Sequence, residues 1–281
     1  VSTAEPASAG APRRAHPAPL LFLGALMGTY STLCGIGGGV FAVPLLHYVY
    51  RMPLRSAVAN SLVLVAASTA SATLLEAVHR ESALRFDVVA ALVAGSLVGS
   101  RIGFVLARRA STFALKCFFA LLLSGVAIQL LAGNGVSDVF DPGLAGYEPT
   151  SGDYALVGVV GLAAGIVAPL LGIGGGLVAV PALLYLLPGL GFLAARACSM
   201  AMSTVTAWQS VWLYRRDGEI HGPAALWLAG GAVGGAAVGI QLVHVEAVTR
   251  SARVLVAFAL LFAAARFAWD LWPRGRSRAA G

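Results

Sequence analysis

Gly35-Ile36-Gly37-Gly38-Gly39-Val40-Phe41-Ala42-Val43-Pro44 is the stretch on which the reading of this chain turns, because it occurs twice. Gly172-Ile173-Gly174-Gly175-Gly176-Leu177-Val178-Ala179-Val180-Pro181 repeats it with eight of ten positions identical. Upstream, Gly24 and Gly28 match Gly161 and Gly165. Downstream, Gly95, Gly99 and Gly103 match Gly231, Gly235 and Gly239. A glycine-rich composition would scatter such matches. It would not keep the same order at a nearly constant offset, so the chain is an internal duplication.

Each run interrupts an apolar stretch. Leu20–Leu33 is apolar, Gly35–Gly39 follows, and Val40–Tyr50 is apolar again. Three consecutive glycines cost a helix roughly 1 kcal/mol each relative to alanine. A lone glycine would be tolerated; three between short arms predict a break. If the surroundings are lipid, broken backbone survives only where protein or a water-filled cavity satisfies it. Both runs are then expected inside the protein, near the middle of the membrane.

Composition makes lipid the expected surroundings. The 281 residues are 58% hydrophobic and 11% charged, where a soluble domain is about a quarter charged. Apolar segments are read at 20–50, 56–78, 86–107, 113–132, 154–188, 196–214, 222–243 and 250–272. Several are long enough to cross roughly 30 Å of hydrocarbon as helices. They lack the alternation of a barrel strand. The net charge of +7 does not point to nucleic acid, because the arginines sit in short loops and tails, where membrane anchors fall. Cys34, Cys117 and Cys198 lie in apolar segments without metal spacing and read as small buried hydrophobes. The expected fold is an all-α polytopic membrane protein of two repeats with four apolar segments each. Repeat 1 covers 20–132 and repeat 2 covers 154–272. A polar loop, 133–153, joins them, a disordered tail occupies 1–19 and a basic tail 273–281.

Arginine placement bears on topology. If both broken segments cross, the basic loops split almost evenly between the faces. If both are re-entrant, Arg13, Arg14, Arg51, Arg55, Arg108, Arg109, Lys116, Arg215, Arg216, Arg274, Arg276 and Arg278 share one face. Arg80, Arg85, Arg196, Arg250 and Arg253 take the other, with the acidic loop. The positive-inside rule favours the second arrangement, with both termini cytoplasmic. Three full crossings per copy then make the copies inverted relative to each other.

A helix beginning after each run, near Val40 and Leu177, would present unpaired N–H groups and the positive end of its dipole. Glycine lets an anion approach such a helix start closely. Two starts related by an inverted repeat would converge on one site, so Gly37, Gly38, Gly39, Gly174, Gly175 and Gly176 are candidate anion ligands. The bland alternative is that these glycines only permit close packing. Gly35, Pro44, Gly172 and Pro181 are expected to shape the break, although membrane prolines are often merely tolerated. The four-residue glycine stripes read as close helix packing. Most Ser and Thr of the second segments are expected to bond the carbonyl four residues back. Asn60, Ser61 and Ser199, near the segment starts, are the candidates for facing the site. Glu76 and Arg196 are expected at the interface, leaving no mid-membrane acid. No catalytic set is present and no cofactor is implied: there is no HExxH, GxSxG or Walker loop.

The duplicated GxGGGxxxxPxL motif, one copy in the first segment and one after the central loop, resembles the sulfite exporter TauE/SafE family. The likeness spans 20–272 and is carried by Gly35, Gly37, Gly38, Gly39 and Pro44 and by Gly172, Gly174, Gly175, Gly176 and Pro181. Where that family often shows a Thr-containing pair, this chain reads Ala59-Asn60-Ser61 and Ala197-Cys198-Ser199. The resemblance implies export of a small sulfur oxyanion, sulfite or an organosulfonate such as sulfoacetate, across a bacterial-type inner membrane. The expected partners are that anion and the lipid bilayer, with no nucleic acid; a homodimer is left open. An anion channel using the same helix ends is the alternative.

Overall fold

The computed structural model describes residues 17–35, 37–78, 83–132, 149–220 and 222–242, with isolated positions at 261, 264, 265 and 269. Among these residues every regular element is a helix. The 250–272 segment, the C-terminal tail and most of the 133–153 loop lie outside them.

The first copy opens with α1 (Pro17–Cys34), so the last three residues assigned to the N-terminal tail are helical. After the glycine run comes α2 (Gly39–Pro44), which continues as a π-helical turn over Leu45–Val49. The switch falls at Pro44, whose missing N–H cannot continue the α ladder. Then follow α3 (Leu54–Val78), α4 (Phe86–Arg109) and α5 (Thr112–Ala132). The second copy repeats the order with α6 (Ser151–Leu171), α7 (Gly176–Leu186), α8 (Gly191–Arg216) and α9 (Gly222–Leu242). Pro181 sits inside α7 without ending it. Both glycine runs therefore break helices as expected. The arms before them are longer than the sequence reading gave, 18 and 21 residues, while α7 has 11. The sequence reading counted α1 from Leu20 and so missed its first turn.

Four helices, α3, α4, α6 and α9, are long and apolar enough to cross a membrane. Their outer faces expose apolar side chains such as Leu74, Val98, Ile102, Val105, Val233 and Val238, as a lipid-facing surface requires. α8 is less apolar because it is central. Its buried side includes Arg196, Ser199, Ser203, Thr206 and Ser210. Many of the hydroxyls bond back along their own helices, as Thr69, Ser71, Thr204, Thr206 and Ser210 do to the carbonyl four residues earlier.

Glycine stripes set the helix pairing. A Cβ on Gly95, Gly99 or Gly103 would collide with the α6 backbone at Gly158, Leu162 and Ile166 in turn. A Cβ on Gly231, Gly235 or Gly239 would collide with α1 at Leu21, Ala25 and Thr29. Residue numbers rise together along both pairs, so α4 runs parallel to α6 and α1 parallel to α9. Each copy's first helix is thus gripped by the other copy's third segment. The Gly24 and Gly28 pair, and Gly161 and Gly165, supply the matching notches, against Leu228 and Ala232 and against Leu92 and Ser96.

The contacts also fix which helix ends lie together. Arg55 at the start of α3 donates to the carbonyls of Arg108 and Ala110 at the end of α4. Arg108 pairs with Asp217, which caps α8, at 3.4 Å. This basic end also carries Arg51, Arg109, Arg215 and Arg216. At the far end, Tyr154 of α6 donates to Asp87 of α4 at 2.8 Å, and Cys198 of α8 approaches the Arg85 carbonyl. Consequently α6 leaves from the far end, and α7 returns there to join α8. Likewise α1 leaves from the basic end beside α9, and the α2 arm returns there to join α3.

Candidate functional site

The tips of the two broken segments pass one another in the interior. In each run the first, third and fourth residues have positive φ: 70, 89 and 68° at Gly35, Gly37 and Gly38, and 71, 81 and 87° at Gly172, Gly174 and Gly175. L-residues with a Cβ avoid this region, so the GxGGG pattern is a backbone requirement. Gly38 and Gly175 are the N-caps of α2 and α7, and neither supplies a side-chain cap.

The runs touch directly. A Cβ on Gly37 would lie 2.5 Å from the Ile173 carbonyl oxygen, and one on Gly39 would strike the Gly172 carbonyl. The second segments lock this crossing reciprocally. Ser61 of α3 donates to the Gly172 carbonyl at 2.9 Å, and Ser199 of α8 donates to the Gly35 carbonyl at 3.4 Å. These two serines occupy equivalent places in the two copies. Each holds the first glycine of the other copy's run, which the sequence could not show because the partners lie 111 and 164 positions away. α2 runs from the crossing toward the basic end and α7 toward the far end, so both helix starts face the centre from opposite sides.

Asn60 makes contacts toward the basic end. Its amide nitrogen donates to the Ser56 carbonyl at 2.6 Å and lies 3.5 Å from the Glu219 carbonyl. Ser56 in turn donates to the Glu219 carboxylate. These groups adjoin a cavity of about 280 Å³ at the basic end, lined by Arg55, Ala107, Arg108, Tyr214, Asp217 and Glu219. Asn60 thus belongs between this charged vestibule and the Ser61–Gly172 contact.

Two charges correct the sequence reading. Arg196 is fully buried and Glu76 is 6% exposed. Arg196 Nη2 lies 2.6 Å from Glu76 Oε2, and Nη1 donates to the Thr32 carbonyl at 3.1 Å. Both had been assigned to the interface because each stands near the end of an apolar segment. The pair is closed over by α1: the Arg196 Cγ would sit 2.8 Å from a Cβ on Gly35. A buried acid and base therefore stand beside the crossing, where none was expected. Arg101, by contrast, is exposed on the outside of α4.

Comparison with known proteins identifies relatives of this chain. The model of the family described as sulfite exporter TauE/SafE matches residues 2–130 and 157–280. A probable membrane transporter protein, MamO, of Magnetospirillum gryphiswaldense is 30% identical over 135 residues, 46% of this chain and 21% of MamO. A probable membrane transporter protein of Haemophilus influenzae is 28% identical over 165 residues, 58% of this chain and 59% of that protein. One from Xylella fastidiosa is 33% identical over 108 residues, 38% of this chain and 41% of that protein. The chain thus aligns with about a fifth to three fifths of these relatives' length. No solved structure matches it.

Proposed function

The chain belongs to the sulfite exporter TauE/SafE family; from that premise we propose that it is a multi-pass membrane transporter that exports a small sulfur oxyanion, such as sulfite or an organosulfonate like sulfoacetate, by alternating access. In this reading the two copies are inverted repeats in the inner membrane, the broken segments are re-entrant, and the basic end is cytoplasmic. The segregation of Arg51, Arg55, Arg108, Arg109, Arg215 and Arg216 to one end supports that orientation.

The observation that carries the proposal is the reciprocal crossing of the glycine runs, pinned by Ser61 on Gly172 and Ser199 on Gly35. Broken helices whose starts meet at a repeat interface are how many transporters bind small anions. Gly37, Gly38, Gly39, Gly174, Gly175 and Gly176 would offer backbone N–H groups to the oxyanion, with the dipoles of α2 and α7 adding positive potential. Because neighbouring side chains are absent, the backbones can part and rejoin by small shifts between the copies. Ser61 and Ser199 would exchange a carbonyl for the substrate as they do so. Asn60 would take part from the vestibule side.

Reconstitution into liposomes tests this. Labelled sulfite and sulfoacetate should show saturable flux that unlabelled anion on the opposite side accelerates. Gly38→Leu and Gly175→Leu should abolish that flux. Unsaturating, high-throughput conductance would establish a channel instead. Glycine variants that stay monodisperse and transport at the normal rate would remove the crossing as the site.

A further inference from the structure

The buried ion pair has an unused edge. A guanidinium carries five N–H groups in a fixed fork and holds an oxyanion best through two of them at once. Among the described residues, Arg196 holds Glu76 through Nη2 alone, while its Nε is buried without a hydrogen-bond partner. Nε and Nη2 form one edge of the fork, so half of that gripping edge is vacant. A buried unpaired donor on a cation is costly. If the pair served only to join α3 to α8, well-packed apolar residues would often do as well or better.

The surroundings of that edge suit an anion. Arg196, Ser199 and Ser203 stand at i, i+3 and i+7, on one face of α8. Arg196 and Ser199 lie against Gly35, and Ser203 lies against Gly174, with its hydroxyl 3.8 Å from where a Cβ would be. The Ser203 hydroxyl is buried and unpartnered, as is that of Ser31, whose Cβ lies against Gly38. Three unpartnered buried polar atoms thus flank the two glycine runs. Buried polar atoms are rarely left this way without a ligand or water to meet them.

Resting on the transporter reading above, we infer that Arg196 grips the oxyanion head of the substrate through its Nε–Nη2 edge, and that Glu76 is its resident counter-ion, which takes up a proton as the anion binds. Before binding, the guanidinium and the carboxylate sum to zero. A monovalent anion beside an ionised Glu76 would place two negative charges on one buried cation, and neighbouring like charges resist joint ionisation. One proton on the Glu76 carboxylate restores neutrality. The transported unit is then one monoanion with one proton.

Among the described residues, the other ionisable groups nearby are few. α8 brings Cys198, in electrostatic reach of Glu76 and of the partly exposed Arg85–Asp87 pair at the start of α4. α1 carries Tyr30. α9, packed along α3, carries no ionisable side chain from Gly222 to Leu242. Among the described residues, Glu76 is therefore the carboxylate placed to trade a proton against an anion on Arg196.

Binding of methanesulfonate and sulfoacetate to the purified full chain, measured between pH 6 and 8, tests this. Neither sulfonate head titrates in that range. Affinity should fall as pH rises, by up to about tenfold per unit, and an indicator in weak buffer should show one proton taken up per methanesulfonate. Glu76→Gln should bind independently of pH and at least as tightly as the wild type at pH 6, because the ligand becomes the sole counter-ion of Arg196. Arg196→Gln in the Glu76→Gln background, which removes both charges together, should lose binding. A flat wild-type pH profile with no proton uptake overturns the inference and leaves the transporter reading standing, and the wild-type arm decides this even if a variant misfolds. Failure of the wild type to bind either sulfonate at any pH overturns both.

Discussion

At the scale of single residues, the crossing rests on positions where a Cβ is excluded twice. Gly172 has φ 71°, and a Cβ there would run into the Ser61 hydroxyl and come within 3.0 Å of the Val58 carbonyl oxygen. Gly218 has φ 74° but nothing within 4 Å. Gly218→Ala should therefore cost only the left-handed backbone penalty, about 1–2 kcal/mol. Gly172→Ala should add an overpacking cost of about 1–3 kcal/mol, so its thermal midpoint should fall clearly further. Equal losses would mean that the crossing is looser than described. Ser61→Ala leaves the Gly172 carbonyl without its buried donor and should cost about 1–3 kcal/mol, read from the same unfolding scan. The glycines were legible from their duplication, since each copy must adopt the same backbone. Ser61 and Ser199 were legible as candidates but not in their partners. The Arg196–Glu76 pair was illegible for a different reason. Each charge stands within a few residues of a helix end, where snorkelling is the ordinary expectation, and only tertiary packing brings them together.

At the scale of elements, the four-residue glycine stripes do for the bundle what apolar side chains do in water-soluble cores. In lipid, association relies on close packing rather than on hydrophobic burial. Gly234 and Gly235 give a matched test on α9. A Cβ at Gly234 meets nothing within 4 Å, while one at Gly235 meets the α1 backbone at Ala25 and Thr29. Gly234→Ala should be neutral or stabilising by up to about 1 kcal/mol, through helix propensity alone. Gly235→Ala should destabilise by about 1–3 kcal/mol and weaken the grip of α9 on α1; thermal unfolding in detergent compares them. The stripes announced tight packing in the sequence, and their spacing fixed a face. Nothing in a spacing says which helix lies opposite. That the third segment of one copy clasps the first segment of the other became visible only from the backbone. The helix breaks were placed correctly because consecutive glycines act locally. The lengths of α1 and α6 were not, because their first turns are built from residues that read as tail or loop.

At the scale of the whole molecule, each broken segment leaves from and returns to one end of the bundle, α1 with α2 at the basic end and α6 with α7 at the far end. In the proposed reading α3, α4 and α5 are the full crossings of the first copy, and the second copy runs reversed against it. The account of function depends on this, since only opposed copies bring two helix starts to one anion from opposite sides. The proposed orientation rests on the arginines, because charge in short loops records orientation independently of packing. The direct measurement is labelling by a membrane-impermeant thiol reagent in intact cells, with single cysteines placed at Asp141 and at Arg216 in a chain lacking Cys34, Cys117 and Cys198. The account predicts labelling at 141 from outside and at 216 only after the membrane is opened. Labelling of both positions from the same side would contradict it.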